Sequence, residues 1–224
     1  MIVVVGSPLG RRGRGGEVVA AGLPVAIAAA AAATGGSVQL IGKVGEGAAG
    51  DAVLLTLAAA GIGHVAVLRD AEAIPVAVDV APTELSDAPI DEIAGLDGSS
   101  DPDEDAPTRN AGGPVLDAAD LELALRYLPD YRVVVIAQAL DPAAVAAVVE
   151  AARWAGAALV VATPRGGEPP ILPDDATVLE APDDAEGAFA TLVGRYAAAL
   201  DGGAQPAEAF AGASSGTGWA AVAD

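Results

Sequence analysis

The chain has 224 residues, 53% hydrophobic and 19% charged, enough for one sizeable core and far from the composition of disordered chains. Thirty-one acidic residues against eleven basic ones give a net charge of −20, which speaks against nucleic acid or an anionic membrane surface as partner. Without cysteine, and with His64 as the single histidine, the sequence holds no thiolate nucleophile, disulfide or Cys/His zinc cage, so no metal site is expected beyond what oxygen ligands such as those of magnesium could hold.

Residues 2–5 are a β-branched run closed by Gly6 and read as a buried strand. Arg11, Arg12 and Arg14 stand among glycines, which predicts a mobile loop; a solvated loop and an anion-binding loop are both open. The short apolar run ahead of them does not read as a signal peptide, and residues 23–33 fall well short of the roughly 20 that cross a bilayer, so a soluble cytoplasmic protein is expected. Residues 23–33 read as an alanine-rich helix ending at Gly35-Gly36, 38–44 as a strand, 48–60 as a helix, and 64–68 and 74–80 as strands. Between residues 79 and 105 stand ten acidic and no basic residues among Pro, Ser and Gly, which predicts a solvated loop at about 81–114 within a single domain spanning 1–224. Asp101, Asp103, Glu104 and Asp105 lack the glycine and distal glutamate of a calcium loop.

Asp117 suits the N-cap of a helix through Tyr127, 132–137 a strand, 142–155 a helix with Asp141 as cap and Pro142 at its first position, and 157–162 a strand. A short strand at 177–180 and helices over 184–200 and 206–221 complete the pattern. Alternating strands and helices call for a mostly parallel sheet covered on both faces. Trp154 and Trp219 are expected to pack in the core, with a partner contact at Trp219 as the other option, and His64 to sit at a strand edge.

The most informative segment is Gly42-Lys43-Val44-Gly45-Glu46-Gly47-Ala48-Ala49-Gly50-Asp51, a glycine-rich turn between a strand and a helix, where backbone amides and the helix dipole can meet an anion. From Gly45 it matches G-x-G-x-x-G, with Arg69 and Asp70 where a dinucleotide fold places its ribose reader; this is an NAD(P)-binding alternative through Gly45, Gly47 and Gly50. From Gly42 the same turn is G-K-V-G-x-x-x-x-G ahead of a helix with Leu57 and then Ala60-Gly61-Ile62. That pattern resembles the first signature of the ribokinase-like, phosphofructokinase-B type carbohydrate kinases. Two other patches are similar to the same family in the same order: residues 130–165, which match its central βαβ unit, and the run from Gly187-Ala188-Phe189 to Phe210-Ala211, which matches the helix opening at its G-A-G-D-x-F site and the next helix. The resemblance implies a three-layer ribokinase-like α/β fold, reduced in length, with Gly42, Lys43, Gly45, Gly47 and Gly50 as ligand-binding candidates.

The family transfers the ATP γ-phosphoryl group to a sugar or related hydroxyl, with an aspartate base and an amide-lined helix N-terminus for the developing charge. Matching Ala188-Phe189 to the family motif puts Gly187 at the base and Asp184 and Glu186 at glycine positions, where carboxylates would repel phosphate. Ser7-Pro8-Leu9-Gly10 stands where the family carries a sugar-gripping aspartate, and residues 21–26 lack its substrate asparagine. Between Arg165 and Leu179 a short Pro-rich link replaces the family's magnesium helix and nucleotide-pocket strands. The expectation is a protein without phosphotransfer activity that binds a small-molecule or protein partner. ATP with magnesium would be required only if it is an active, divergent sugar or nucleoside kinase, with Asp183 or Asp184 as substitute base. The alternating apolar strand at 74–80 further predicts a homodimer.

Overall fold

Runs of β-branched residues buried on both sides make the centre of the molecule. A computed structural model describes residues 1–13, 15–70, 76–78 (backbone only), 115–163, 170–181 and 187–215. Six strands lie in one sheet, β1 (Ile2–Val5), β4 (Val38–Gly45), β5 (Gly63–Asp70), β7 (Val133–Ile136), β8 (Ala158–Thr163) and β9 (Thr177–Glu180), in the order β5-β4-β1-β7-β8-β9 with every pairing parallel. Such a sheet needs cover on both faces, and the period of two sorts its side chains accordingly. Ile2, Val4, Leu40, Val133, Val135 and Val160 face a layer made by α1 (Leu23–Ala32), α2 (Ala48–Ala59), α5 (Ala188–Asp201) and α6 (Pro206–Ser215). Val3, Val5, Ile41, Val134, Ile136 and Val161 face α3 (Ala118–Tyr127) and α4 (Pro142–Ala155).

Helix starts follow the sequence signals. The Asp117 side chain accepts from the Asp120 amide at 2.8 Å while Asp120 accepts from the Asp117 amide at 3.0 Å, a reciprocal cap for α3. Asp141 accepts from the Ala144 amide at 2.7 Å, with Pro142 at the first position of α4. Asp141→Ala is therefore expected to cost about 1 kcal/mol, read as a lower urea midpoint at unchanged slope; an unchanged midpoint would mean that solvent satisfies the Ala144 amide equally well.

Two expectations are corrected. Arg11 and Arg12 do not lie in a loop: Leu9–Arg12 is β2, antiparallel to β3 (Val18–Ala21) with Leu9 opposite Ala21 and Arg12 opposite Val18. The glycines form only the turn, where the Gly13 amide bonds the Glu17 carbonyl and the Gly16 amide the Gly13 carbonyl. Exposed charge is compatible with a strand whose outer face meets water. β6 (Val76–Val78) pairs in parallel with β2, giving a second sheet of order β3-β2-β6; the remaining residues of the predicted 74–80 strand lie outside the described residues. Second, Trp154 is not in the core but 92% exposed. On α4 the buried residues are Ala144, Val145, Ala147, Val148 and Ala152, and at 100° per residue their common direction lies well around the helix from position 154, near the helix end. Trp219 and the acidic segment at about 81–114 lie outside the described residues.

Between β8 and β9 the described residues 170–176 form no helix, and Val178 of β9 is left 43% exposed. Among the described residues no helix is long and apolar enough to cross a membrane.

Candidate functional site

After β1 the chain adds β4 and β5 on one side, then returns to add β7, β8 and β9 on the other, so the direction of strand order reverses between β1 and β7. In open parallel sheets ligands bind beyond the carboxyl ends of the strands at such a reversal. Three strand ends are laced together there. Ser7, buried, receives at its hydroxyl the Lys43 amide (3.1 Å) and gives its own amide to Oε1 of Gln138 (2.7 Å). The Gly6 amide bonds the Ile41 carbonyl and the Ala137 amide the Val5 carbonyl, and Gly42 packs against Gly6, Ser7 and Pro8. Gln138 was not singled out from the sequence; the signal for it is a polar residue two positions after the last residue of a buried β-branched run.

Lys43 follows the alternation of β4 onto the α3 face. Its Nζ lies 2.6 Å from an Asp120 carboxylate oxygen and 3.9 Å from one of Asp70. The hydrogen bond to Asp120 raises the Lys43 pKa above the ordinary lysine value against the opposing effect of burial, helped by the charges of Asp120, Asp117 and Asp70. Asp117 is shifted downward, chiefly by the backbone hydrogen bond from Asp120. The only lysine of the chain thus joins β4 and β5 to the first turn of α3.

Gly45, Gly47 and Gly50 gather one crossover away, where β4 turns into α2. Arg69 fills that turn: it donates to the Gly45 carbonyl at 3.2 Å and pairs with Asp51, while the Glu46 amide bonds the Asp70 carbonyl. A side chain at Gly50 would run into the Gly45 carbonyl, so this glycine is required for the first turn of α2 to rest on its strand. The G-x-G-x-x-G pattern therefore belongs to the β4–α2–β5 crossover and not to the β1/β7 reversal, where a dinucleotide fold would hold its pyrophosphate. Arg69 and Asp70 are near it, as expected, but both are engaged within the chain.

α1 and α5 both begin at the carboxyl edge and run back side by side. Gly187 is the N-cap of α5, exposed, with no side-chain capping bond; its carbonyl accepts from the amide and hydroxyl of Thr191 at 3.1 and 2.8 Å. Gly22 is likewise the N-cap of α1 without a side-chain cap. Asp183, Asp184 and Glu186 lie outside the described residues. On the α4 side, a cavity of about 880 Å³ opens at the carboxyl ends of β7 and β8, with Gln138, Thr163, Val145, Val149 and Ile171 in its wall. Among the described residues no group of three His, Asp or Glu side chains is placed to hold a metal ion.

No protein-family model matches the sequence, and no curated protein matches it. Solved structures do. A protein called Sa239 superposes with a TM-score of 0.63 at 16% identity, covering 96% of this chain and 93% of that one. Arabidopsis thaliana ribokinase, solved with ribose and ATP, gives 0.58 at 16% identity over 95% and 89%. A PfkB protein from Polaromonas sp. JS666 gives 0.59 at 16% identity over 97% and 96%.

This is a ribokinase-like fold. At these identities the likeness concerns the fold, and chemistry has to be argued from the residues present. Within the ribokinase-like frame, the cap position of α5 is a glycine and the lysine of the glycine-rich turn is neutralised by carboxylates. His64, the other titratable candidate, sits on edge strand β5 with Nδ1 3.4 Å from the Ile62 carbonyl.

Proposed function

We propose that this ribokinase-like protein does not transfer phosphoryl groups and acts by binding a small ligand at the carboxyl edge of its sheet. The observation that carries the reading is Gly187: the residue that caps α5 has no side chain to take a proton from an attacking hydroxyl. Three features support it. Lys43 is committed to Asp120 and Asp70 and is not held ready for phosphate. Residues 170–176 form no helix where the resemblance calls for a magnesium-binding one, so no catalytic step through ATP with magnesium is assigned. The cavity beside Gln138 and Thr163 has the size and largely apolar wall of a small-molecule site. A cytoplasmic location and a homodimer through the strand around residues 74–80 complete the reading.

The test is an assay of purified protein with ATP and magnesium against ribose, fructose phosphates and nucleosides, with thermal shifts recorded for nucleotides, sugars, NAD and NADP. No phosphorylated product is expected, together with a raised melting temperature for at least one small ligand. Turnover that survives rigorous purification and disappears in Asp183→Asn or Asp184→Asn would replace this reading with that of a divergent kinase. Stabilisation by NAD or NADP that is lost in Gly47→Val would replace it with the dinucleotide reading.

A further inference from the structure

The last residue of β8 carries a hydroxyl with nothing to bond. Thr163 is only 8% exposed, and its side chain has no hydrogen-bond partner among the described residues; its carbonyl alone is engaged, by the Ala181 amide at 2.8 Å. Thr163 lines the cavity of about 880 Å³ on the α4 side, and so does Gln138. The Gln138 amide is oriented by its neighbour. The Ser7 amide can only donate, so Oε1 faces it at 2.7 Å and Nε2 is left as a donor without a partner among the described residues. Ile136 and Val161 pair across β7 and β8, and Gln138 and Thr163 each stand two residues further along, which brings both polar groups to about the same level. The rest of the wall is apolar, with Val145, Val149, Val161 and Ile171 in it. Its only charges among the described residues are Glu150 and Arg153, one of each sign and both exposed on α4.

We propose that this cavity takes a neutral small molecule with an apolar body and one carbonyl oxygen, an inference that deepens the reading of the protein as a binder at the carboxyl edge and rests on it. The carbonyl oxygen accepts from Gln138 Nε2 and from the Thr163 hydroxyl, while the body covers Val145, Val149 and Val161. Both donors lose water when the cavity fills, and a donor left unpaired costs more than a made bond contributes, so a body without an acceptor is disfavoured. Further polar groups on the ligand would be stripped of water against an apolar wall that offers them no partner. Charge is selected against as well. Glu150 and Arg153 offset each other at the exposed side, and the net charge of −20 repels an approaching anion. A ketone, ester or lactone is therefore favoured over a carboxylate or a phosphate.

The experiment is titration of the full chain with prodan, a neutral naphthyl ketone whose emission moves to the blue in apolar surroundings. Competition follows with camphor, a neutral bicyclic ketone, and with camphorsulfonate, the same body carrying an anion. The expected result is a blue shift that camphor reverses and that camphorsulfonate reverses only at concentrations about tenfold higher. Thr163→Val keeps the shape and removes the hydroxyl. It should weaken prodan binding about fivefold and leave the melting temperature at or above the wild-type value, because that hydroxyl has no partner to lose. Val149→Trp fills the cavity and should abolish the shift while circular dichroism shows the fold retained; if this variant unfolds, Thr163→Val decides. Absence of a blue shift overturns the proposal and means that the cavity is filled from within the chain. Equal binding by wild type and Thr163→Val also overturns it, as does equal competition by camphor and camphorsulfonate. Phosphorylated product in the kinase assay would overturn the reading of a protein that binds without transfer, whatever prodan does. No product together with no prodan binding overturns the present proposal alone.

Discussion

Gly194→Leu is expected to destabilise the protein more than any other single change to a helix. Gly194 sits in α5 where that helix meets α1, and a Cβ there would lie 2.7 Å from the Ala30 Cβ, 2.7 Å from the Ile27 carbonyl oxygen and 2.8 Å from the Ala31 nitrogen. Two of the three obstacles are backbone atoms and cannot rotate away, so the helices must separate. Overpacking a core costs about 1–3 kcal/mol when side chains can adjust; here separation also uncovers Ile27, Ala31, Val193 and Ala197, all buried, and the loss should reach or exceed the top of that range. Gly194→Ala is the informative control. Alanine gains about 1 kcal/mol of helix propensity over glycine, yet its single methyl is the atom that collides, so a smaller loss of the same sign is expected. For a chain of this size each kcal/mol lowers the melting temperature by roughly 2–4 °C. A Gly194→Leu protein that melts with the wild type would show that α1 and α5 are not in backbone contact.

Lys43→Met should have the next largest effect, and its signature is the pH profile. Removing the ammonium leaves Asp120 and Asp70 close together without their cation, with side chains 18% and 31% exposed. Exposed ion pairs contribute about 0–1 kcal/mol and loss of one partner of a buried pair costs about 3–5; partial exposure puts the expected loss at about 1–2 kcal/mol near neutral pH. The folded-state pKa of Lys43 is raised above the ordinary value near 10.5. Its contribution is therefore complete below that value and disappears as pH rises through the higher folded-state value. Wild-type protein should lose stability on that alkaline limb, and Lys43→Met should lack this component, so the two curves converge at high pH. Parallel curves would assign the loss to packing of the lysine stem and not to its charge. At acid pH the depressed pKa of Asp117 acts in the opposite sense: its contribution is present above the ordinary carboxylate value and fades as pH falls through the lower folded-state one.

The large sheet was legible because each of its central strands is a short β-branched run ended by a turn signal, and because Asp117 and Asp141-Pro142 mark helix starts by chemistry that acts locally. Helix α4 and strand β9 fall on the residues the sequence assigned to them. What stayed hidden was set by partners distant in the chain. The β2–β3 hairpin depends on its register with Val18 and Val19, and glycines with arginines read as a loop until that pairing is known. The direction of Lys43 follows from a carboxylate on α3, and the link between Ser7 and Gln138 joins residues 131 apart. Trp154 was assigned to the core by residue type, although its place on α4 lies well around the helix from the common direction of the buried residues. The glycine-rich turn shows the limit of motif reading most clearly, since one set of glycines fits two signatures and only the strand order separates them.

That strand order also dictates when the molecule can be finished. β1 is made first, and residues 1–70 contain its neighbour β4, but the strand on its other edge, β7, begins at Val133. Until then the hydrogen-bonding edge of Ile2–Val5 is open, and an open, apolar edge is a template for pairing with other chains. The buried side of α1 waits longer still, for α5 at residues 188–201. Native contacts of such long sequence separation slow folding. During synthesis the N-terminal half therefore leaves the ribosome as an incomplete layer whose most apolar strand is exposed, and the protein becomes safe from aggregation only when its C-terminal third has arrived.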